Sequence, residues 1–263
     1  MRTISSRQNE VVRAVRDLVA SPDASGRQVV VDGPHLVAEA LAAGLVVPLA
    51  AVSAHGAASP EIAALVDRLD RSGAHLVAVT GQVLASMSPV RTPSGIVAVV
   101  ERPAASLDAL CVPSDAFLLV TVDVQDPGNV GAILRVAEAA GATGAIVAGA
   151  SANPFSAKAV RGSMGSVLRL PVTTAPTSEV AGRFRAAGVR AIGATVSGGV
   201  PPDAVTWRGR ISLVLGGEGG GLPADVLAWC DTTVSLPMQA PVESLNVAVA
   251  AGILAYHARS ARA

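Results

Sequence analysis

Aromatic side chains, lysines and long apolar runs are scarce in this chain of 263 residues. Aromatic residues make up 2% of the sequence, so Val, Leu, Ile and Ala must fill the core. Uncharged apolar runs such as residues 40–52 contain glycine and proline, and they are shorter than the ~20 residues that a membrane span requires. No apolar segment follows Arg2 and Arg7, which argues against a signal peptide. We therefore expect a cytoplasmic protein with an aliphatic core.

Neither the cysteines nor the net charge identifies a binding partner. Cys111 and Cys230 form no CxxC pair and have no metal-ligand spacing, and the four histidines are scattered. We therefore expect reduced thiols and no metal site. A net charge of zero argues against a protein whose whole surface binds nucleic acid.

The distribution of charge is more informative than its sum. Residues 139–178 contain no acidic side chain but include Lys158, Arg161 and Arg169, and the N-terminal segment is rich in arginine. Arginine suits bidentate phosphate binding, although a GC-rich genome would give the same preference over lysine. The main candidate RNA phosphate contacts are Arg7, Arg13, Lys158 and Arg161, and Arg2, Arg16, Arg27 and Arg169 are further candidates.

Short apolar strands alternate with helices along the chain, which predicts an α/β protein with a parallel sheet covered on both faces. Residues 1–101 form a small α/β unit whose first helix Ser5 and Ser6 can cap. Residues 102–115 have the composition of a linker, and 116–263 form the second unit. Its predicted strands are 117–122, 145–148, 190–194, 211–215 and 232–236, and its last helix begins at Glu243.

Two loops of the second unit carry candidate chemistry. The turn 126–129, Asp-Pro-Gly-Asn, leads into an apolar helix that Asn129 is expected to cap. Arg135 follows on that helix, either as a surface side chain or as an anion ligand. The loop 216–221 has Glu218 as its single side chain among glycines, so a ligand could approach its backbone. A mobile glycine turn is the alternative.

A third block, Glu243-Ser-Leu-Asn246, opens the last helix. Ser244 can cap that helix, which would be a purely structural role. Asn246 then lies just inside the helix, where asparagine is unfavourable, so capping by Ser244 does not account for it. A polar pair at the mouth of an apolar helix favours a binding site.

In this order and at these separations, the three blocks resemble the signature of the SpoU (TrmH-type) RNA ribose 2′-O-methyltransferases of the SPOUT superfamily. The resemblance covers residues 117–259 and is greater to ribosomal RNA members, including the thiostrepton-resistance type. It implies a deep trefoil knot in the second unit and S-adenosylmethionine as cofactor. The implied catalytic residues are Asn129, Arg135, Glu218, Ser244 and Asn246. The implied cofactor-binding residues are Gly216, Gly217, Leu236, Leu245 and Thr195.

The resemblance also implies a homodimer and an RNA-binding role for residues 1–101, which are similar to a ribosomal-protein-like substrate-binding domain. Two positions depart from the family's pattern. Asp126 stands where asparagine is frequent, and Gly217 stands where alanine or serine is frequent.

The expected function is S-adenosylmethionine-dependent ribose 2′-O-methylation of large-subunit ribosomal RNA, without a metal and without a membrane partner. A transfer-RNA methyltransferase and a non-catalytic RNA-binding ribosome-assembly protein are the alternatives. A nucleotide-dependent oxidoreductase is disfavoured, because no dinucleotide-binding Gly-x-Gly-x-x-Gly follows the first strand.

Overall fold

The computed structural model describes residues 3–23 and 25–263, and the chain divides into two compact units. The first unit runs to Ala104 and also takes in Phe155–Arg161. The second comprises Ala105–Pro154 and Gly162–Ala263. The segment predicted as a linker, 102–115, contains the helix Leu107–Cys111, whose Leu107 and Leu110 are buried in the core of the second unit.

The first unit is a five-stranded mixed sheet with helices. The strand order is β1-β4-β3-β5-β2, in which β5 runs antiparallel to β3 and to β2. Its elements, up to Ala104, are β1 Thr3–Ile4, α1 Glu10–Ala20, β2 Gln28–Asp32, α2 Pro34–Ala42, β3 Val46–Ser53, α3 Ala54–Ala57, α4 Pro60–Arg71, β4 His75–Val79, α5 Gly81–Met87 and β5 Ile96–Glu101.

Helix α1 begins later than the sequence predicts. Asn9 is its N-cap, because Asn9 Oδ1 accepts a hydrogen bond from Val11 N at 3.0 Å, whereas Ser5 and Ser6 lie outside the helix. The buried face of α1 includes Val12 and Val15, in agreement with the apolar spacing of the sequence.

Phe155 ties the segment Phe155–Arg161 into the first unit. Its ring would overlap a Cβ on Gly26, and Gly26 has a φ of 65°. The close contact and the backbone conformation each favour glycine at this position. The Arg102 guanidinium lies over the same ring, 4.9 Å from its centroid, and Arg102 Nη1 donates to the Gly26 carbonyl at 3.3 Å. Burial lowers the pKa of the Arg102 guanidinium.

The second unit is built on a six-stranded parallel sheet, which confirms the predicted class of fold. The strand order is β11-β9-β10-β6-β7-β8. Helix α8, Ala157–Gly162, lies mostly in the segment Phe155–Arg161 of the first unit. The other elements from Ala105 onward are α6 Leu107–Cys111, β6 Phe117–Val122, α7 Pro127–Ala139, β7 Gly144–Ala148, α9 Ser166–Arg169, β8 Val172–Ala175, α10 Thr177–Ala187, β9 Arg190–Thr195, a 3-10 turn Pro202–Ala204, β10 Ile211–Gly216, α11 Ala224–Leu227, β11 Thr232–Ser235 and α12 Val247–Arg262.

The chain changes direction across this sheet next to β6. It moves outward from β6 through β7 to β8, and then returns to the other side of β6 through β9, β10 and β11. In parallel sheets, ligands bind at such a switch point, outside the carboxyl ends of the strands. The sequence did not predict β8, whose four residues are short and rich in threonine.

Helices α7 and α12 lie side by side on the second unit and run in the same direction. Asn129 contacts Asn246 near their first turns, and Arg259 Nη1 donates to the Ala139 carbonyl at 2.6 Å near their last turns. Both helices therefore begin at the carboxyl edge of the sheet. Within the part of the chain that the structure describes, no helix is long and apolar enough to cross a membrane.

Candidate active site

The turn after β6 leaves the Asn129 side chain available for tertiary contacts. Asp126 is the N-cap of α7, and its Oδ1 accepts hydrogen bonds from Gly128 N at 2.5 Å and Asn129 N at 3.2 Å. The prediction that Asn129 caps this helix is wrong, because Asp126 precedes a proline at the first helical position and satisfies the free backbone donors. Asn129 instead occupies the first turn of α7.

The glycine-rich segment after β10 folds back on itself. Gly221 N donates to the Gly217 carbonyl at 3.1 Å, and Gly219 and Gly221 have positive φ values. A Cβ on Gly216 would overlap the backbone of Gly221. Backbone therefore forms the surface of this turn, and Glu218 projects from it as an exposed side chain.

The third block ends in a helix cap rather than in a helical turn. Helix α12 begins at Val247, and Asn246 Oδ1 accepts hydrogen bonds from Ala248 N at 2.9 Å and Val249 N at 3.3 Å. The predicted start at Glu243 is wrong, and so is capping by Ser244. The cap leaves Asn246 Nδ2 free to bond elsewhere.

One chain of side-chain hydrogen bonds joins the three blocks. Asn129 Nδ2 donates to Glu218 Oε1 at 2.5 Å, and Asn246 Nδ2 donates to Asn129 Oδ1 at 3.1 Å. Each amide thus donates with its nitrogen and accepts with its oxygen, which fixes the orientation of both. The bonds connect residues 89 and 117 positions apart in sequence.

A cavity of about 540 Å³ lies beside this chain of hydrogen bonds, at the carboxyl ends of β9, β10 and β11. Its volume falls within the range of roughly 300–1,000 Å³ that small-molecule sites have. Leu215, Leu222 and Leu254 give it an apolar wall. The predicted site residues that line it are Thr195, Gly216, Gly217, Glu218, Leu236, Ser244, Leu245 and Asn246.

Glu218 is the one ionisable side chain among the described residues that line the cavity. Its carboxylate accepts from Asn129 close to the first turns of α7 and α12. The N-terminal end of a helix carries partial positive charge, so two helix ends favour a negative group in this place.

Arg135 lies on α7, six residues after Asn129 or about 9 Å further along the helix axis. Its side chain is exposed, and it is outside the cavity lining. No hydrogen bond or ion pair to another described residue holds it. The structure therefore presents Arg135 to solvent rather than to the cavity.

The four main predicted RNA contacts belong to the first unit. Arg7 is exposed before α1, Arg13 is exposed on α1, and Lys158 and Arg161 are exposed on α8. Arg169 lies in the second unit, where its Nε contacts Glu138 Oε1 at 2.6 Å. Burial raises the pKa of the Asp32 carboxyl, and the nearby positive charge of Arg161 opposes that shift. Arg2 lies outside the described residues.

The sequence reading missed two polar groups that shape the site. Ser235 Oγ accepts from Gly199 N at 2.9 Å and lies 3.1 Å from Thr195 Oγ1, so it joins the ends of β9 and β11. Asp123 follows β6 directly and contacts the glycine-rich turn. An aspartate between the valines at 122 and 124 was the available signal, because a charged residue interrupts an apolar run there. Among the described residues, no group of three or more His, Cys, Asp or Glu side chains could hold a metal ion.

Comparison with known proteins gives this geometry a context. The SpoU rRNA Methylase family matches residues 116–256. The 23S rRNA (guanosine(2553)-2'-O)-methyltransferase RlmP of Bacillus subtilis is 28% identical over 261 residues, which are 98% of this chain and 100% of that protein. The 23S rRNA (uridine(2479)-2'-O)-methyltransferase of Streptomyces viridochromogenes is 40% identical over 173 residues, 63% of this chain and 60% of that one.

A solved structure resembles the whole chain. The crystal structure of an AdoMet-bound rRNA methyltransferase from Sinorhizobium meliloti is 27% identical, and the comparison covers 98% of this chain and 97% of that one with a TM-score of 0.85. The family match spans more than half of the chain and includes all three blocks. The resemblance drawn from those blocks is confirmed, and the chain belongs to the SpoU rRNA methylase family.

Proposed function

We propose that this protein transfers a methyl group from S-adenosylmethionine to a ribose 2′-hydroxyl of large-subunit ribosomal RNA. The observation that carries the proposal is the hydrogen-bonded chain from Glu218 through Asn129 to Asn246, beside a cavity of ligand size. The two curated relatives are named for a guanosine and for a uridine. We therefore assign the ribose as the target of methylation and do not assign a particular base.

The cavity suits S-adenosylmethionine in size and in chemistry. Its glycine-rich turn exposes backbone donors and acceptors, which can bind an adenine ring and an amino acid group without side chains. Gly216, Gly217, Leu236, Leu245 and Thr195 would hold the cofactor. When bound, S-adenosylmethionine supplies an electrophilic methyl group.

The polar side chains would orient the reacting groups, because an in-line displacement depends strongly on positioning. Asn129 and Asn246 fix Glu218 and the start of α12, and Ser244 lies beside them in the cavity lining. Arginine guanidinium groups carry a positive charge in proteins and do not act as bases. We assign Arg135 to a phosphate of the RNA and to stabilising negative charge that develops on the ribose oxygen.

We assign different roles to the two units. The first unit carries the arginines and Lys158 that we assign to RNA phosphates, which give salt-dependent affinity with little sequence information. The second unit carries the cofactor site and the chemistry, in its part from about residue 116 onward. A cytoplasmic location follows from the proposed ribosomal substrate and stays a prediction, as does the trefoil knot.

We further propose that the second unit forms a homodimer through α12. Its apolar side chains Val249, Ile253 and Tyr256 are 51%, 40% and 49% exposed, and they recur at a spacing that places them on one face. Leu245, just before the helix, is 38% exposed. A contiguous apolar surface of this kind is typical of a protein interface.

The direct test is methyl transfer in vitro. The full-length protein is incubated with labelled S-adenosylmethionine and either a 23S rRNA transcript, ribosomal subunits or transfer RNA, and the product is mapped by primer extension at low dNTP. We expect one ribose 2′-O-methyl group in 23S rRNA. Label in transfer RNA alone would favour the transfer-RNA alternative. RNA binding without methyl transfer or cofactor binding would favour the assembly-protein alternative.

A further inference from the structure

Asp123 has a backbone conformation that few residues adopt. It follows β6 directly and has a φ of 57°, in the left-handed region. Among the described residues other than glycine, only Met164 shares this feature, with a φ of 50°. Aspartate enters this region more readily than most residues, but a non-glycine residue there still needs support from its surroundings.

The support comes from the neighbouring loop after β7. Asp123 Oδ1 accepts a hydrogen bond from Ala150 N at 2.7 Å. A Cβ on Gly149 would overlap that carboxylate oxygen, so the loop approaches as closely as glycine allows. Next to it, Val124 N donates to Ser151 Oγ at 3.1 Å, and Ala152 N donates to the Val124 carbonyl at 2.8 Å. These bonds fix the backbone of Asp123 on one side.

The other side of Asp123 contacts the glycine-rich turn of the cavity. A Cβ on Gly217 would overlap the carbonyl oxygen of Asp123. Gly217 is one of the two positions at which this chain departs from the family's pattern, and alanine or serine is frequent there. Gly217 and the unusual backbone of Asp123 are therefore in contact, and Gly217 immediately precedes Glu218 in the sequence.

We propose that Asp123 is a positioning residue for the cofactor-binding turn. Its carboxylate anchors the end of β6 to the loop after β7, and its carbonyl group then supports Gly217. That support holds Glu218 within hydrogen-bonding distance of Asn129. The proposal rests on the proposed function only for the identity of the ligand; the support of the turn is a property of the protein alone.

The clean test is Asp123→Gly, because glycine adopts the same φ without strain and removes only the carboxylate. We expect the Kd for S-adenosylhomocysteine, measured by calorimetry, to rise about tenfold, as loss of one hydrogen bond to a charged group implies. Asp123→Asn keeps an acceptor oxygen and tolerates the left-handed region, so its Kd should stay within about threefold of the wild-type value.

Met164→Gly is the matched control, because it also introduces glycine at a position with a positive φ. Met164 is exposed and is not part of the cavity lining. Its Kd for S-adenosylhomocysteine should equal that of the wild-type protein. Gly217→Ala approaches the contact from the turn and should raise the Kd as Asp123→Gly does, which keeps the proposal testable if Asp123→Gly does not fold.

Amide hydrogen exchange separates this proposal from the proposed function. Without any ligand, residues 217–221 should exchange several-fold faster in Asp123→Gly than in the wild-type protein or in Met164→Gly. A wild-type protein that does not bind S-adenosylhomocysteine would overturn the proposed function, while the exchange rates would still decide the role of Asp123. Unchanged exchange in Asp123→Gly, or an unchanged Kd in both Asp123→Gly and Gly217→Ala, would overturn the positioning role.

Discussion

The substitution Asn129→Asp should reduce methyl transfer strongly. The amide nitrogen that donates to Glu218 at 2.5 Å would be replaced by a carboxylate oxygen, so a hydrogen bond becomes a contact between two negative charges. The new carboxylate would also lie in the first turn of α7, where negative charge stabilises a helix by about 0.3–1 kcal/mol. This gain offsets only part of the cost that the repulsion has for the folded state, so stability is measured separately from activity.

The size of the effect follows from two contributions. Loss of a hydrogen bond to a charged group costs about 1.5–3 kcal/mol, and the exposure of this pair favours the lower end of that range. Asn129→Ala should therefore lower kcat/KM roughly tenfold. Repulsion between unit charges about 4 Å apart adds up to ~4 kcal/mol at an effective dielectric constant of ~20, before screening by water. Asn129→Asp should accordingly lower kcat/KM about 100-fold or more at pH 7.5.

The dependence on pH distinguishes repulsion from simple loss of contact. Two neighbouring carboxylates raise the pKa of one of them above the reference values of about 3.9 and 4.3. As the pH falls towards the raised pKa, that carboxyl group takes up a proton and can donate as the amide did. The ratio of activity between Asn129→Asp and Asn129→Ala should therefore rise as the pH falls.

The assay is the initial rate of labelled methyl transfer to 23S rRNA, with thermal unfolding as the control for folding. Initial rates are measured well below the Tm of both variants, so that unfolding does not lower them. Equal activities of the two variants at every pH would refute the repulsion, and wild-type activity of Asn129→Ala would show that the hydrogen bond to Glu218 contributes nothing to catalysis.

Three further predictions concern other parts of the second unit. Arg135→Ala should abolish methyl transfer and leave calorimetric binding of S-adenosylhomocysteine unchanged, whereas Arg135→Lys should retain part of the activity because it keeps the charge; near-normal activity of Arg135→Ala would remove this residue from the site. Burial raises the pKa of the Cys230 thiol to about 11, so its alkylation should be slow at pH 8 and should accelerate about tenfold per pH unit up to that value; a plateau near pH 9 would contradict this assignment. Light scattering should give twice the chain mass for the wild-type protein and a monomer for Ile253→Glu, and a wild-type monomer with full activity would exclude the dimer.

The strands of the second unit were predictable because they are short apolar runs between turn residues. The sequence placed the central strand at 117–122, as the structure has it. Strand β8 was missed, since its sequence Val-Thr-Thr-Ala is only four residues long and has no apolar alternation. The helix starts were less predictable, because several polar residues near each start could serve as the cap.

The site residues were recognisable as motifs, but their contacts were not. Asn129 and Asn246 were expected at or just inside helix starts, whereas the structure shows that they donate to groups from distant loops. A contact between residues more than 80 positions apart depends on how the strands are ordered in the sheet, and local sequence does not encode that order. Asp126 illustrates the opposite case, since its departure from the usual asparagine preserves a capping oxygen.

The membership of Phe155–Arg161 in the first unit determines how the protein can be divided. The chain passes between the units after Ala104, after Pro154 and after Arg161, so three covalent connections join them. A single cut near residue 104 leaves two connections intact. A fragment that begins at Ala105 also retains Phe155 without Gly26 and Arg102, the residues that surround its ring. The two units are therefore not interchangeable modules, and separating them requires a replacement for 155–161 as well as a new terminus.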